Sequence, residues 1–141
     1  MANDSSSASG DSGAEPAAGD PSATRSARVY LQTAPWTDEI VAIYVRGELT
    51  YDTGPRLEEE VERLVHRGFN TLVFDLTHVT ELSNAGGSLL VSQARAIQDG
   101  GGRVTVVNPS APARATLERL TVSSLLHVLE SEDEAKAFHR V

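Results

Sequence analysis

Short runs of β-branched and aromatic residues alternate with longer segments of helical spacing, and this alternation constrains the fold more than any other feature of the chain. Residues 28-RVYLQT-33, 40-IVAIYVRG-47, 71-TLVFDL-76, 103-RVTVVN-108 and 126-LHVL-129 read as strands, because branched and aromatic side chains suit a pleated, half-buried surface. A helix is expected over about 55–67. Leu57, Val61, Leu64 and Val65 share one of its faces, Asp52 or Thr53 offers a cap, Pro55 lies in the first turn and Gly68 stops it. A second helix carries Leu89, Leu90, Ala94 and Ile97 and ends at 99-DGGG-102. A third starts at Ser110 with Pro112 just inside, and a fourth follows the S-x-x-E capping pair Ser131 and Glu134. The order β-β-α-β-α-β-α-β-α implies a mixed, mostly parallel sheet of four to five strands flanked by about four helices, an α/β class, with the first two strands as an antiparallel edge.

Residues 1–27 differ in kind. The first 24 contain no Val, Leu, Ile or aromatic residue and are rich in Ser, Ala, Gly, Asp and Pro, too little apolar surface to offset chain entropy. We read 1–27 as a disordered tail and 28–141 as one domain.

Several function classes conflict with the residues present. There is no cysteine, so disulfides and thiolate metal sites are excluded. The formal charge of −8 argues against nucleic-acid and anionic-membrane binding, which need clustered Lys and Arg. No apolar run reaches the ~18 residues of a membrane span, and the N-terminus has no signal-peptide pattern, so a soluble cytoplasmic protein is expected. The G-x-S-x-G elbow and the phosphate loop are missing, and the single lysine, Lys136, is far from the glycine clusters. The run 100-GGG-102 precedes a strand rather than following one, so it is a turn. His66, His78, His127 and His139 lack metal-ligand spacing. Asp75 and Glu81 flank a strand end without a partner base. No catalytic residue, metal or cofactor is expected.

The junction 80-TELSNAGGSLL-90 is the informative stretch. If 71–76 is a parallel strand, residues 77–85 lie beyond its carboxyl end, where open α/β sheets usually place their functional surface. The next helix begins near Asn84 to Gly86. Ser83 or Asn84 supplies its N-cap, and Gly86 and Gly87 permit close backbone approach, to the sheet or to a partner protein. A capped helix with glycines for packing accounts for the same residues.

Three segments, 45-VRGELTYDTGPRLEEEV-61, 72-LVFDLTHVTELSNAGGSLL-90 and 101-GGRVTVVNPSAPARATLERL-120, resemble in order and spacing the STAS domain of bacterial anti-sigma factor antagonists. The resemblance covers about residues 28–141. It implies a small domain that works by protein–protein binding. Its partner would be an anti-sigma factor that is also a serine kinase, and binding would release the sigma factor. The kinase phosphorylates the serine of a D-S-x-G loop and breaks the complex, and a serine phosphatase, acting indirectly, resets it. A monomer or weak dimer is implied.

This chain departs from that pattern. With Gly86 on the motif glycine, Ser83 stands where the family has Asp, and Asn84 stands at the phosphoacceptor position. Asparagine accepts no phosphate. The resemblance then places partner binding on Thr80, Glu81, Ser83, Asn84, Gly86 and Gly87. Two readings stay open: a switch-less antagonist or scaffold subunit that binds regardless of the kinase, or a switch moved one residue to Ser83. Within the same fold, a non-switching STAS subunit of a signalling or transport complex is an alternative, and from another class a small nucleotide-binding protein or enzyme. Gly87 replaces a leucine, which would loosen the helix start or reshape the partner surface. The stretch 120-LTVSSLLHVL-129 lacks the family's glycine.

Overall fold

The structure, a computed structural model, describes residues 27–120 and 126–141. Residues 1–26 of the expected tail and residues 121–125 of the 120–129 departure lie outside the described residues. The described residues form strands β1 (Val29–Pro35), β2 (Ile40–Leu49), β3 (Thr71–Leu82), β4 (Arg103–Val107) and β5 (His127–Leu129). The helices are α1 (Gly54–His66), α2 (Asn84–Asp99), α3 (Ala111–Arg119) and α4 (Glu132–Phe138). The sheet order is β1-β2-β3-β4-β5. Its first pair is antiparallel and the rest are parallel, as the alternation of elements implies.

A parallel sheet whose strands follow one another without reversal sends every right-handed crossover over the same face. Helices α1, α2 and α3 therefore share one face and close the main core. Leu57, Val61 and Leu64 from α1, Leu90 and Ala94 from α2, and Ala113 and Leu117 from α3 pack on Val41, Ile43, Leu72, Phe74 and Val106. Among the described residues, the helix covering the opposite face is α4, through Ala135 on Ala42, Val73 and Val107. Because the order never reverses, the sheet has no topological switch point, the crevice where doubly wound folds bind nucleotides.

Helix α4 is strapped down at both ends. The Tyr44 phenol donates to a Glu132 carboxylate oxygen at 3.1 Å, and burial, followed by that carboxylate, pushes the phenol above its ordinary pKa. Lys136 lies 5.2 Å from the centre of the Trp36 ring. At the far end His139 Nε2 and the buried Thr105 hydroxyl share a hydrogen bond of 3.1 Å. Burial first, then the positive charges of Arg103 and His127, hold the His139 imidazole below its ordinary value. As pH falls, the unfolded chain, titrating near about 6.5, therefore takes up this proton before the folded one does. The His139 contribution to stability is whole above that pH and is lost as pH drops through the folded value. Urea midpoints are expected to decline between about pH 7 and pH 5, and to decline less in His139→Gln. Equal slopes in the two proteins would remove His139 as the source.

One expectation needs correction. Residues 77–82 are strand, so the connection after β3 is Ser83 alone and not a loop over 77–85. The pairing of β2 with β3 shifts between Tyr44 and Arg46 and again between Gly47 and Glu48, each time placing an extra residue on β3. Buried positions on β3 consequently run Phe74, Leu76, Val79, Leu82, and the period of two becomes three. An alternation test stops at Leu76 for that reason. Gly47, in the same bulged stretch, has φ +98°, and a side chain there would meet the Arg28 carbonyl at 2.5 Å. A second correction concerns α1. Thr53 occupies its N-cap position, but its side chain makes no capping bond. The hydroxyl donates to the Glu48 carbonyl at 2.7 Å and accepts from Thr50 N at 2.9 Å, closing the β2–α1 turn.

Candidate functional site: the β3–α2 junction

Strand β4 pairs with β3 only as far as Asp75 and Val107, so the carbonyls of β3 beyond that point face no strand on that side. Helix α3 serves them instead. The Leu76 carbonyl accepts from Ser110 N at 3.1 Å, the Val79 carbonyl from the Ser110 hydroxyl at 2.6 Å, and the Leu82 carbonyl from the Thr116 hydroxyl at 2.5 Å. The repeat of three along the bulged strand thus matches the donors of a helix. Ser110 also caps α3, accepting from Ala113 N at 3.3 Å.

This anchoring fixes where α2 begins. Ser83 N donates to the Leu49 carbonyl at 3.1 Å, and the Ser83 carbonyl accepts from Gly87 N at 2.8 Å. Of the two candidate caps, Ser83 fills the role: its hydroxyl accepts from Gly86 N at 3.0 Å. Asn84, the first residue of α2, points its amide oxygen elsewhere and accepts from Arg119 Nη2 at 3.0 Å. The same guanidinium nitrogen donates to Thr116 Oγ1 at 3.1 Å. A continuous set of hydrogen bonds therefore runs from the Asn84 amide through Arg119 and Thr116 to the end of β3.

The structure divides the six candidate partner-binding residues. Thr80, Glu81 and Asn84 are exposed and Ser83 is half-buried, all around the start of α2. Gly86 and Gly87 are buried, so their close approach is to the protein's own elements. Gly86 lies against the Leu49 carbonyl at the end of β2, and Gly87 lies beneath Leu120 and Thr116. Leu120 fills the space above Gly87, so the helix start is packed there, not loosened.

Two residues at this junction escape a sequence reading. Arg119 bonds to Asn84 across 35 positions; its only local signal is the helical spacing of three from Thr116. Tyr51, on the β2–α1 turn, is 82% exposed, and it borders a 350 Å³ hollow that Ala85 and Leu89 line from α2. Among the described residues no cluster of three His, Asp or Glu side chains could hold a metal ion, and no helix is long and apolar enough to cross a membrane. The junction offers an exposed neutral amide, a guanidinium and a projecting tyrosine at a helix N-terminus.

The same architecture occurs in solved structures. The anti-sigma factor antagonist SpoIIAA in its unphosphorylated form superposes with a TM-score of 0.68 at 17% identity, over 79% of this chain and 98% of that one. An anti-sigma factor antagonist from Mycobacterium paratuberculosis gives 0.71 at 22% identity, over 81% and 96%. The phosphorylated form of SpoIIAA, a Bacillus cell fate determinant, gives 0.64 at 20% identity, over 79% and 100%. These likenesses are of fold. No curated protein matches the sequence. The family model described as STAS domain matches residues 33–135, most of the chain, and the five-stranded sheet agrees with it: the chain belongs to the STAS domain family.

Proposed function

We propose that the protein is an anti-sigma factor antagonist-like binding module of the cytoplasm. It holds an anti-sigma factor of the serine-kinase type through the exposed surface of residues 80–84, and so modulates sigma-dependent transcription without itself catalysing a reaction. The observation that carries this reading is the state of Asn84. An uncharged, exposed amide held by Arg119 stands at the start of α2, where the family resemblance expects the serine that switches binding off when phosphorylated. Phosphate would add about −1.5 to −2 charges in the middle of the contact. An amide keeps the site permanently in the uncharged form, so binding does not respond to the kinase.

The test restores the acceptor. Incubated with ATP and the kinase-type anti-sigma factor that co-purifies from the host, the wild-type protein is expected to take up no phosphate, and Asn84→Ser to take it up at position 84. A variant that binds an active kinase yet stays unmodified would sink the assignment of position 84. Co-purification without any kinase would favour the scaffold reading.

Ser83 supports a second reading, a switch displaced by one residue, because its hydroxyl sits beside Asn84 at the same helix start. That hydroxyl is already the N-cap of α2, and its capping bond contributes on the order of 1 kcal/mol, which a kinase would have to break. Phosphosite mapping by mass spectrometry on protein from the host decides between the two. An unmodified Ser83 is the expected result.

A further inference from the structure

A second cavity, which Pro55 and Glu58 of α1 border as they do the hollow beside Tyr51, lies between α1 and the C-terminal half of α2. It is a groove of about 660 Å³ with Val61, Val65, Phe69 and Ile97 along its floor and Glu58, Glu59 and Glu62 along the α1 wall. Val65 is 46% exposed there, although it continues the apolar face of α1. The three carboxylates make no hydrogen bond or ion pair with any described residue, whereas Glu60 of the same helix is paired with Arg63. An apolar floor between two helices beside an unneutralised acidic wall is the complement of a helix with apolar residues on one face and Lys or Arg on its flank.

We propose that this groove is a second docking site, which takes a cationic amphipathic helix from another protein. The protein's own N-terminal segment does not fit it: residues 1–26 hold four acidic residues and one Arg, with no Val, Leu, Ile or aromatic side chain. A second copy is disfavoured by the net charge of −8 on each molecule, since like-charged copies repel. On α2 the groove is lined by Gln93, Ala96 and Ile97, toward the other end of that helix from Asn84. Thirteen residues separate Asn84 from Ile97, about 20 Å along a helix at about 1.5 Å per residue. A partner at the junction and a helix in the groove can therefore be held together, which makes the domain a two-site adaptor. This inference does not rest on the function proposed for Asn84.

The probe is a fluorescein-labelled synthetic helix with Leu at i, i+3, i+4 and i+7 and Lys at its flanking positions, compared with the same peptide carrying Glu for Lys. Binding to the full chain is read by anisotropy at low and at physiological salt. The Lys peptide is expected to bind at least about tenfold more tightly than the Glu peptide, a difference of about 1.4 kcal/mol. The triple variant Glu58→Gln, Glu59→Gln, Glu62→Gln is expected to weaken it about as much, and Val65→Asp to abolish binding. A control with the same change in charge, Glu118→Gln, Glu130→Gln, Asp133→Asn, is expected to leave affinity unchanged, as is Asn84→Asp. No binding, equal binding of the two peptides, or equal weakening by the control triple would each overturn the site.

Discussion

Gly86→Ala is expected to cost about 3 kcal/mol of folding stability, the upper part of the range for overpacking a filled site, and to lower the melting temperature by roughly 10 °C or more. The sign is opposite to helix propensity. Gly86 lies inside α2, where replacing glycine by alanine ordinarily stabilises by about 1 kcal/mol. Here the added Cβ would lie 2.8 Å from the Leu49 carbonyl carbon and closer still to its oxygen. That carbonyl is backbone, held in place by the Ser83 N–H, so relief requires α2 to lift off the end of the sheet. The neighbouring residue is the internal comparison. A Cβ on Gly87 would meet the Leu120 Cδ1 atom at 2.6 Å and the Thr116 methyl at 3.1 Å, ends of side chains that can turn aside. With the propensity gain offsetting the repacking, Gly87→Ala is expected to fall within about 1 kcal/mol of wild type. Urea denaturation of both variants followed by circular dichroism measures the difference. Equal stabilities would mean that Gly86 is not what seats α2 on β2.

The same contrast shows which parts of the molecule are legible in the sequence. The five strands and four helices can be read because each carries its own period, and α2, α3 and α4 a capping serine as well. Ser110 and Ser131 cap where S-x-x spacing places them, and Gly68 ends α1 with φ +104°. The end of β3 cannot be read that way. Its two bulges turn the burial period from two to three, and its carbonyls are served by α3, which begins 28 residues after Leu82, at Ser110 counted as cap. The junction is legible only in part for the same reason. Ser83 and Asn84 are local to the turn, but the partner of Asn84 is Arg119 on another helix, and no period or motif links two positions so far apart. Gly86 and Gly87 illustrate a further limit. A glycine pair signals close approach without saying to what, and here the approach is to Leu49, Leu120 and Thr116 inside the fold.

If the proposed function holds, Asn84→Asp is expected to weaken binding of the anti-sigma factor by about tenfold to a hundredfold while leaving the free protein at least as stable as wild type. Asparagine and aspartate have the same shape, so the change isolates charge. In the free protein the new carboxylate stands at the N-terminus of α2, which favours an anion by about 0.3–1 kcal/mol. It also keeps Arg119 Nη2 as a donor at the 3.0 Å contact now made to the amide. Stability is therefore not lost, and any loss of binding belongs to the interface. A docked partner must strip water from that carboxylate and guanidinium together, and their mutual attraction repays the desolvation only in part. Arg119→Ala separates the two effects. In the double variant the charge has no neighbour to neutralise it, so Asn84→Asp is expected to weaken binding more in the Arg119→Ala background than in wild type, by about 1 kcal/mol in a double-mutant cycle. Asn84→Ala, which removes the amide without adding charge, is expected to bind within a few-fold of wild type. Isothermal titration of wild type and the four variants against the purified anti-sigma factor, with melting temperatures measured alongside, supplies every term. An unchanged affinity for Asn84→Asp would place the partner on another surface. A loss shared equally by Asn84→Ala would mean that the interface needs the amide itself rather than the absence of charge.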